Sequence, residues 1–291
     1  MKKIIALLIT ILMLSGTTFS VNAQSYIFGN SNIEKSVAKH YIFSKYNGIN
    51  RAGYSDAKPV KPKVVSLMYH KISEDISEHG AFCVSPETFE KDIVWLKENG
   101  YKFCFASEVD EVFEQDKSGG KYAVITFDDG YESDYLYALP ILEKHGAKAT
   151  FFIIASQLDT EENIKIEQLK LLAASESVEI GSHSYELHTL PLEQIKKIYE
   201  VDDTIYLVKD FKQGADLLQY LTGKEIKTLS FPNGIWSDFA VSQLEIAGFS
   251  ELYNSDDNIN NEAQACYSRI NRYDGIELGD LLKIYFDKKA E

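Results

Sequence analysis

Three histidines and a pair of carboxylates stand at the ends of short apolar runs in this 291-residue sequence. His70 follows Val64–Tyr69, Asp128-Asp129-Gly130 follows Tyr122–Phe127, and Ser182-His183 follows Val178–Gly181, with His188 five residues beyond. A fourth run, Thr228–Phe231, ends in Pro232-Asn233-Gly234. Neighbouring side chains of an extended chain point opposite ways, yet a glycine directly after Asp128-Asp129 permits a tight turn aiming both into one cleft. Two carboxylates that close raise one another's pKa unless a cation intervenes. A metal ion resolves the conflict: one Asp ligates it and the other stays free as a base. On a regular helix His183 and His188 would lie ~140° apart, so only a loop with an irregular turn can aim both at one ion. Neutral imidazoles, one carboxylate and an open position for substrate make a catalytic zinc set. The same donors also accept Co²⁺ or Ni²⁺.

Such residues need a scaffold that gathers strand ends. From Lys63 onward, β-branched and aromatic runs alternate with amphipathic stretches, the pattern of an α/β fold with a mostly parallel sheet. Strands are predicted at Val64–Tyr69, Lys102–Phe105, Tyr122–Phe127, Ala149–Ile154, Val178–Gly181, Thr228–Phe231, Glu251–Asn254 and Ala265–Ile270. Between them one helix is capped by Ser85 with Pro86 in its first turn and carries Phe89, Ile93 and Leu96 on one face. Others run over about 136–145, ending at Gly146, over about 164–175, over 192–221 as one long helix or a broken pair, and over 237–247. Seven to eight strands with helices between them imply a closed or nearly closed (β/α) barrel, whose chemistry gathers where strands end and loops begin. The reactive residues stand at those ends.

The chain carries 30 Lys+Arg against 44 Asp+Glu, a net charge of −14, which makes nucleic acid and anionic membrane surfaces poor partners. Lys2 and Lys3, the apolar run Ile4–Leu14, and Val21-Asn22-Ala23 read as a signal peptide over residues 1–23. Its removal leaves no transmembrane segment, and an exported, secreted or cell-surface protein is expected. Residues 24–62 read as an N-terminal arm or linker ending in Lys58-Pro59-Val60-Lys61-Pro62, and 63–291 as the catalytic domain. Cys83, Cys104 and Cys266 are widely spaced and read as buried free thiols.

Thr126-Phe127-Asp128-Asp129-Gly130-Tyr131, Lys148-Ala149-Thr150-Phe151-Phe152 and Ile180-Gly181-Ser182-His183 together resemble the polysaccharide deacetylases of the NodB-homology, carbohydrate esterase 4 family. The likeness runs in order from about residue 64 to 282. Leu67-Met68-Tyr69-His70 and the five-residue histidine spacing resemble its exported branch acting on poly-β-1,6-N-acetylglucosamine. The resemblance implies a distorted (β/α) barrel, a divalent metal on Asp129, His183 and His188, and Asp128 as the base. It implies an N-acetylglucosamine polymer as substrate, with peptidoglycan or chitin oligomers as the alternatives.

Two departures matter. The Arg-x-Pro-Tyr motif of many members is Ser230-Phe231-Pro232-Asn233 here, and no histidine follows His188, so the usual late general acid is missing. His70, alone at a strand end among the other histidines, is assigned that role. The missing arginine is sought at Arg269 or Arg272, which face opposite sides of a strand, and Arg272 is favoured as nearer the strand's C-terminal end. A backbone N–H near Asn233 suits an oxyanion, and Tyr131 and Trp236 suit sugar faces. An inactive glycan-binding module would tolerate loss of these groups, but Asp128, Asp129, His183 and His188 are all present.

Overall fold

The computed structural model describes residues 60–75, 77, 81–200 and 204–287. The signal peptide and all but residues 60–62 of the expected arm lie outside them. Strands are β1 (Lys63–Tyr69), β2 (Lys71–Ile72), β3 (Cys83–Val84), β4 (Tyr101–Phe103), β5 (Lys121–Phe127), β6 (Ala149–Ile153), β7 (Val178–Ser182), β8 (Leu229–Ser230), β9 (Leu252–Tyr253), β10 (Cys266–Tyr267) and β11 (Ile270–Asn271). The longer helices are α1 (Pro86–Glu98), α2 (Val109–Gln115), α3 (Leu139–His145), α4 (Ile166–Ala174), α5 (Leu192–Glu200), α6 (Thr204–Thr222), α7 (Asp238–Ile246) and α8 (Leu278–Asp287).

Nine strands form one sheet in the order β10-β9-β8-β7-β6-β5-β1-β11, with β4 also on β5, and every pairing is parallel. The sheet curls into a half-barrel with helices, the expected distorted (β/α) barrel. Its central strands are buried on both faces, as β1 (Lys-Val-Val-Ser-Leu-Met-Tyr) shows from its second residue on, so they read as continuous apolar runs. Register brings Tyr69 beside Phe127 and Phe127 beside Phe151. Their rings stack at 5.3 and 4.9 Å, with Phe89 of α1 edge-on to Tyr69 and Phe127. Each such pair contributes roughly 0.5–1.5 kcal/mol beyond its buried area. This aromatic layer lies directly under His70 and Asp128 and fixes the height at which the strands release them.

The helix punctuation acts as the sequence implies. Ser85 Oγ accepts from Thr88 N at 3.0 Å to cap α1, which buries Phe89, Ile93 and Leu96. Gly146 closes α3 with φ 59°. The predicted strand over 265–270 is instead two, which raises the strand count of the sheet to nine. At the break, the Asn260 side chain replaces a strand partner: Ser268 N donates to its Oδ1 at 3.0 Å and its Nδ2 donates to Ser268 O at 2.9 Å. Its backbone exchanges two hydrogen bonds with Val64 of β1 (3.0 and 3.1 Å). Asn260 thus seams the break to the edge of β1, and Arg269 leaves the break pointing inward. Among the described residues no helix is long and apolar enough to cross a membrane.

Candidate active site

Four strand ends converge. Asp128 N donates to Tyr69 O at 3.0 Å, so His70 and Asp128 leave adjacent strands side by side. Asp129 and Gly130 then adopt φ 73° and 82°, a left-handed turn that swings the second carboxylate toward the first. The left-handed backbone favours glycine at 130, and a Cβ there would stand 3.0 Å from Ile153 Cδ1, so that side chain would have to give way slightly. Just past β7, His183 N donates to Ile153 O at 2.9 Å, Ser184 turns with φ 78°, and a short 3₁₀ turn over Leu187–Thr189 presents His188. This is the irregular loop that the histidine spacing demands.

One ligand atom each of Asp129, His183 and His188 lies within 4.8 Å of the others. Asp129 Oδ1 is 3.6 Å from His183 Nε2 and 3.5 Å from His188 Nε2, is buried, and has no hydrogen-bond partner. Ligands 2.0–2.1 Å from a tetrahedral zinc sit about 3.3–3.4 Å apart, so the triad fits a divalent ion. His183 Nδ1 lies 3.1 Å from Ser230 O and 2.6 Å from Ser230 Oγ. Donation of Nδ1–H to that carbonyl leaves the Nε2 lone pair facing Asp129. Burial is the main influence on His183 and lowers its pKa to about 4, so the ring is neutral at pH 7, as a ligand must be.

Asp128 is gripped from the other side. Arg269 Nη1 donates to its Oδ1 at 2.6 Å and Nη2 to its Oδ2 at 2.7 Å, a bidentate pair with both residues buried. Thr126 Oγ1 (3.2 Å from Nη1), Asn254 O (2.9 Å from Nε) and the face of Phe152 (5.5 Å) hold the guanidinium. Burial pushes the Asp128 pKa up, but the Arg269 guanidinium, foremost among the lowering influences through its charge and its hydrogen bonds, helps hold the carboxyl well below its usual range. Asp128 therefore stays ionised.

Arg272, favoured from the sequence, does not reach the cleft. Its Nε and Nη2 bind the Asp92 carboxylate of α1 at 2.6 and 3.0 Å, and Tyr69 OH donates to the same group at 2.8 Å. The two arginines do face opposite ways, but the break at Ser268 gives the inward position to Arg269.

His70 is largely buried beside Asp128, Asp129 and His188, its ring edge-on to Phe82 at 4.8 Å and its Nδ1 without a hydrogen-bond partner. Burial lowers its pKa more than the two aspartates raise it. Tyr131 lies against Asp129, and burial followed by that charge raises its phenol. Asn233, exposed, takes φ 54° in a 3₁₀ turn packed against the His188 turn. Trp236 Nε1 donates to Asp256 Oδ2 at 3.1 Å, which fixes the indole on the 254–257 loop. Sequence reasoning missed Ser230 and Asp134. Ser230 stands where the resemblance showed only a lost motif. Asp134, in a π-helical turn, is buried with one unpartnered oxygen, and burial followed by the Asp129 charge raises its pKa well above the carboxylate range.

The parallel half-barrel with this carboxylate–histidine cluster at its strand ends defines a class. Residues 115–252 match the family model described as polysaccharide deacetylase, and Asp128, Asp129, His183 and His188 all fall inside that segment. Over that segment the chain is similar to polysaccharide deacetylases. YxkH of Bacillus subtilis (strain 168), which bears the same family name, is 35% identical over 173 residues, covering 57% of this chain and 60% of its own length. The chain thus spans less than two thirds of that relative. The poly-beta-1,6-N-acetyl-D-glucosamine N-deacetylase of Staphylococcus aureus (strain MSSA476) is 26% identical over 227 residues, 70% of this chain and 78% of that one. In fold, the chain is similar to the solved structure of IcaB from Ammonifex degensii, with a TM-score of 0.65 at 21% identity over 77% of this chain and 96% of that one. His70 and Arg269 lie outside the matched segment, so their assignments rest on the geometry above.

Proposed function

We propose that the chain is an exported, zinc-dependent deacetylase that hydrolyses the N-acetyl groups of poly-β-1,6-N-acetylglucosamine to acetate and free amine. One observation carries the reading: the unpartnered Oδ1 of Asp129 facing two imidazole Nε2 atoms, next to an ionised Asp128. The likeness to the Staphylococcus aureus enzyme supports the substrate, and the leader-like residues 1–23 support export.

Asp129, His183 and His188 would hold the ion, which supplies Lewis acidity that eases deprotonation of water and favours negative charge on an acyl oxygen. Asp128 accepts the proton of the attacking water, and Arg269 keeps that carboxylate oriented and charged through both oxygens. The water oxygen bonds to the acetyl carbon, and the C–N bond breaks as His70 protonates the nitrogen. A lowered pKa makes His70 a readier donor once it is charged. Asn233 contributes a backbone donor to the oxyanion, while Tyr131 and Trp236 contact the sugar.

The test is acetate release by the chain lacking residues 1–23, stripped of metal and reloaded with Zn²⁺, Co²⁺ or Ni²⁺ in turn. β-1,6-Linked N-acetylglucosamine oligomers, chitin oligomers and peptidoglycan serve as parallel substrates. Metal-dependent release from the β-1,6 oligomers supports the reading. Release only from chitin or peptidoglycan overturns the substrate, and no release from any glycan by metal-loaded protein overturns the enzyme.

A further inference from the structure

The loop between the two histidines is held by a helix that contributes nothing to the cleft itself. Successive backbone N–H groups of Tyr185, Glu186 and Leu187 converge on the single carboxylate of Asp210 in α6, at 3.0, 3.0 and 3.4 Å. Three consecutive donors turned to one side form an anion-binding nest, and here the anion is a side chain of the same molecule. Asp210 is buried, flanked on α6 by the core residues Leu207 and Phe211. One helical turn further on, Gly214 shares its face of α6. A Cβ there would stand 2.9 Å from the carbonyl carbon and oxygen of Ser184 and 3.0 Å from Tyr185 N, so no side chain fits without moving the loop. The grip passes to His188 directly: His188 N donates to Ser184 Oγ at 3.3 Å, and Thr189 N to Glu186 O at 2.8 Å.

We propose that Asp210 and Gly214 clamp the 184–187 loop and so set the position of His188 as an ion ligand. The inference rests on the metal-site reading of Asp129, His183 and His188. Apolar packing by Leu207 and Phe211 would suffice to dock a loop, whereas burying a carboxylate is costly unless its hydrogen bonds are needed. Asp210 touches neither ion nor substrate; it is a positioning residue, and supports of this kind typically govern metal affinity 10–100-fold.

The test compares the full chain with Asp210→Asn, Gly214→Ala and His188→Ala, each checked for folding by circular dichroism and for thermal midpoint. Zn²⁺ affinity of metal-stripped protein is measured against a chromogenic chelator, and Co²⁺-loaded samples give a visible spectrum. Asp210→Asn and Gly214→Ala are each expected to weaken Zn²⁺ binding about 10–100-fold and to alter the Co²⁺ spectrum while remaining folded. Adding Asp210→Asn to His188→Ala should change affinity by less than about two-fold, because the clamp acts through His188. Unchanged Zn²⁺ affinity in Asp210→Asn with a lowered thermal midpoint would make the clamp merely structural. If that variant does not fold, unchanged affinity in Gly214→Ala has the same meaning. Failure of the unmutated chain to bind Zn²⁺ overturns the metal site itself, a distinct result.

Discussion

Arg269 and Arg272 provide a matched experiment within one molecule. Both are buried, both bind an aspartate through two nitrogens, and they are three residues apart. Only Arg269 binds the proposed base. Breaking a buried ion pair by removing one partner costs about 3–5 kcal/mol. For a domain of this size that lowers the thermal midpoint by roughly 6–20 °C, and Arg269→Gln and Arg272→Gln should both show it. Their pH profiles should differ. Without Arg269, burial is left as the dominant influence on Asp128 and raises its pKa. Loss of one close opposite charge is worth about 1–3 pKa units, so the acid limb of kcat should move up by that much in Arg269→Gln. In Arg272→Gln the limb should stay in place, because the orphaned carboxylate is Asp92, under the aromatic layer. Because Asp128 starts well below the usual carboxylate range, acetate release is followed from pH 7 down to the lowest pH at which both variants stay folded, with the aspartate carboxyls titrated by ¹³C NMR over the same range and thermal melts read on the same samples. A pH profile unmoved in Arg269→Gln, or moved equally in both, would refute the reasoning.

The metal-free protein should lose stability in mild acid through His183. Its folded pKa of about 4 lies below the ordinary 6.5, so the unfolded state binds the proton first and stability falls as pH drops between those values, by about 3 kcal/mol in all. Urea titrations in chelator at pH 7 and pH 4.5 check this, and equal midpoints would contradict it. Gly130→Ala should cost about 1–2 kcal/mol for the left-handed backbone, and more where its Cβ meets Ile153. Melts should show that loss, and acetate release should fall with it as the Asp129 turn is displaced. His70→Gln should bind Zn²⁺ as tightly as the unmutated chain yet lose about 10²–10⁴ in kcat, along with the alkaline limb set by a donor that must be protonated. Retention of that limb would remove His70 from the acid role.

The fold was legible where local chemistry and burial agree. The Ser85-Pro86 cap, the Gly146 stop and the runs of β1, β5 and β6 each carry their own signal, because a strand buried on both faces is predominantly apolar. The clustering of Asp129, His183 and His188 was legible for a related reason: a barrel gathers the residues at its strand ends. What stayed hidden depends on partners remote in sequence. The break at Ser268 is made by the side chain of Asn260, which nothing in 265–270 announces, and that break decides between Arg269 and Arg272. Ser230 earns its position from His183, 47 residues away. Asp210 and Gly214 read as ordinary positions of a long helix until the loop they hold is placed against them.

The central claim is that Asp129, His183 and His188 hold one ion while Asp128 does proton chemistry beside it. It is tested most directly by titrating Zn²⁺ into metal-stripped protein and following acetate release from β-1,6-linked N-acetylglucosamine oligomers, with Asp128→Asn alongside. Activity should rise until one ion is bound per chain, and Asp128→Asn should bind that ion with activity nearly abolished. Full activity in thoroughly chelated protein, or near-full activity in Zn²⁺-loaded Asp128→Asn, would contradict the account.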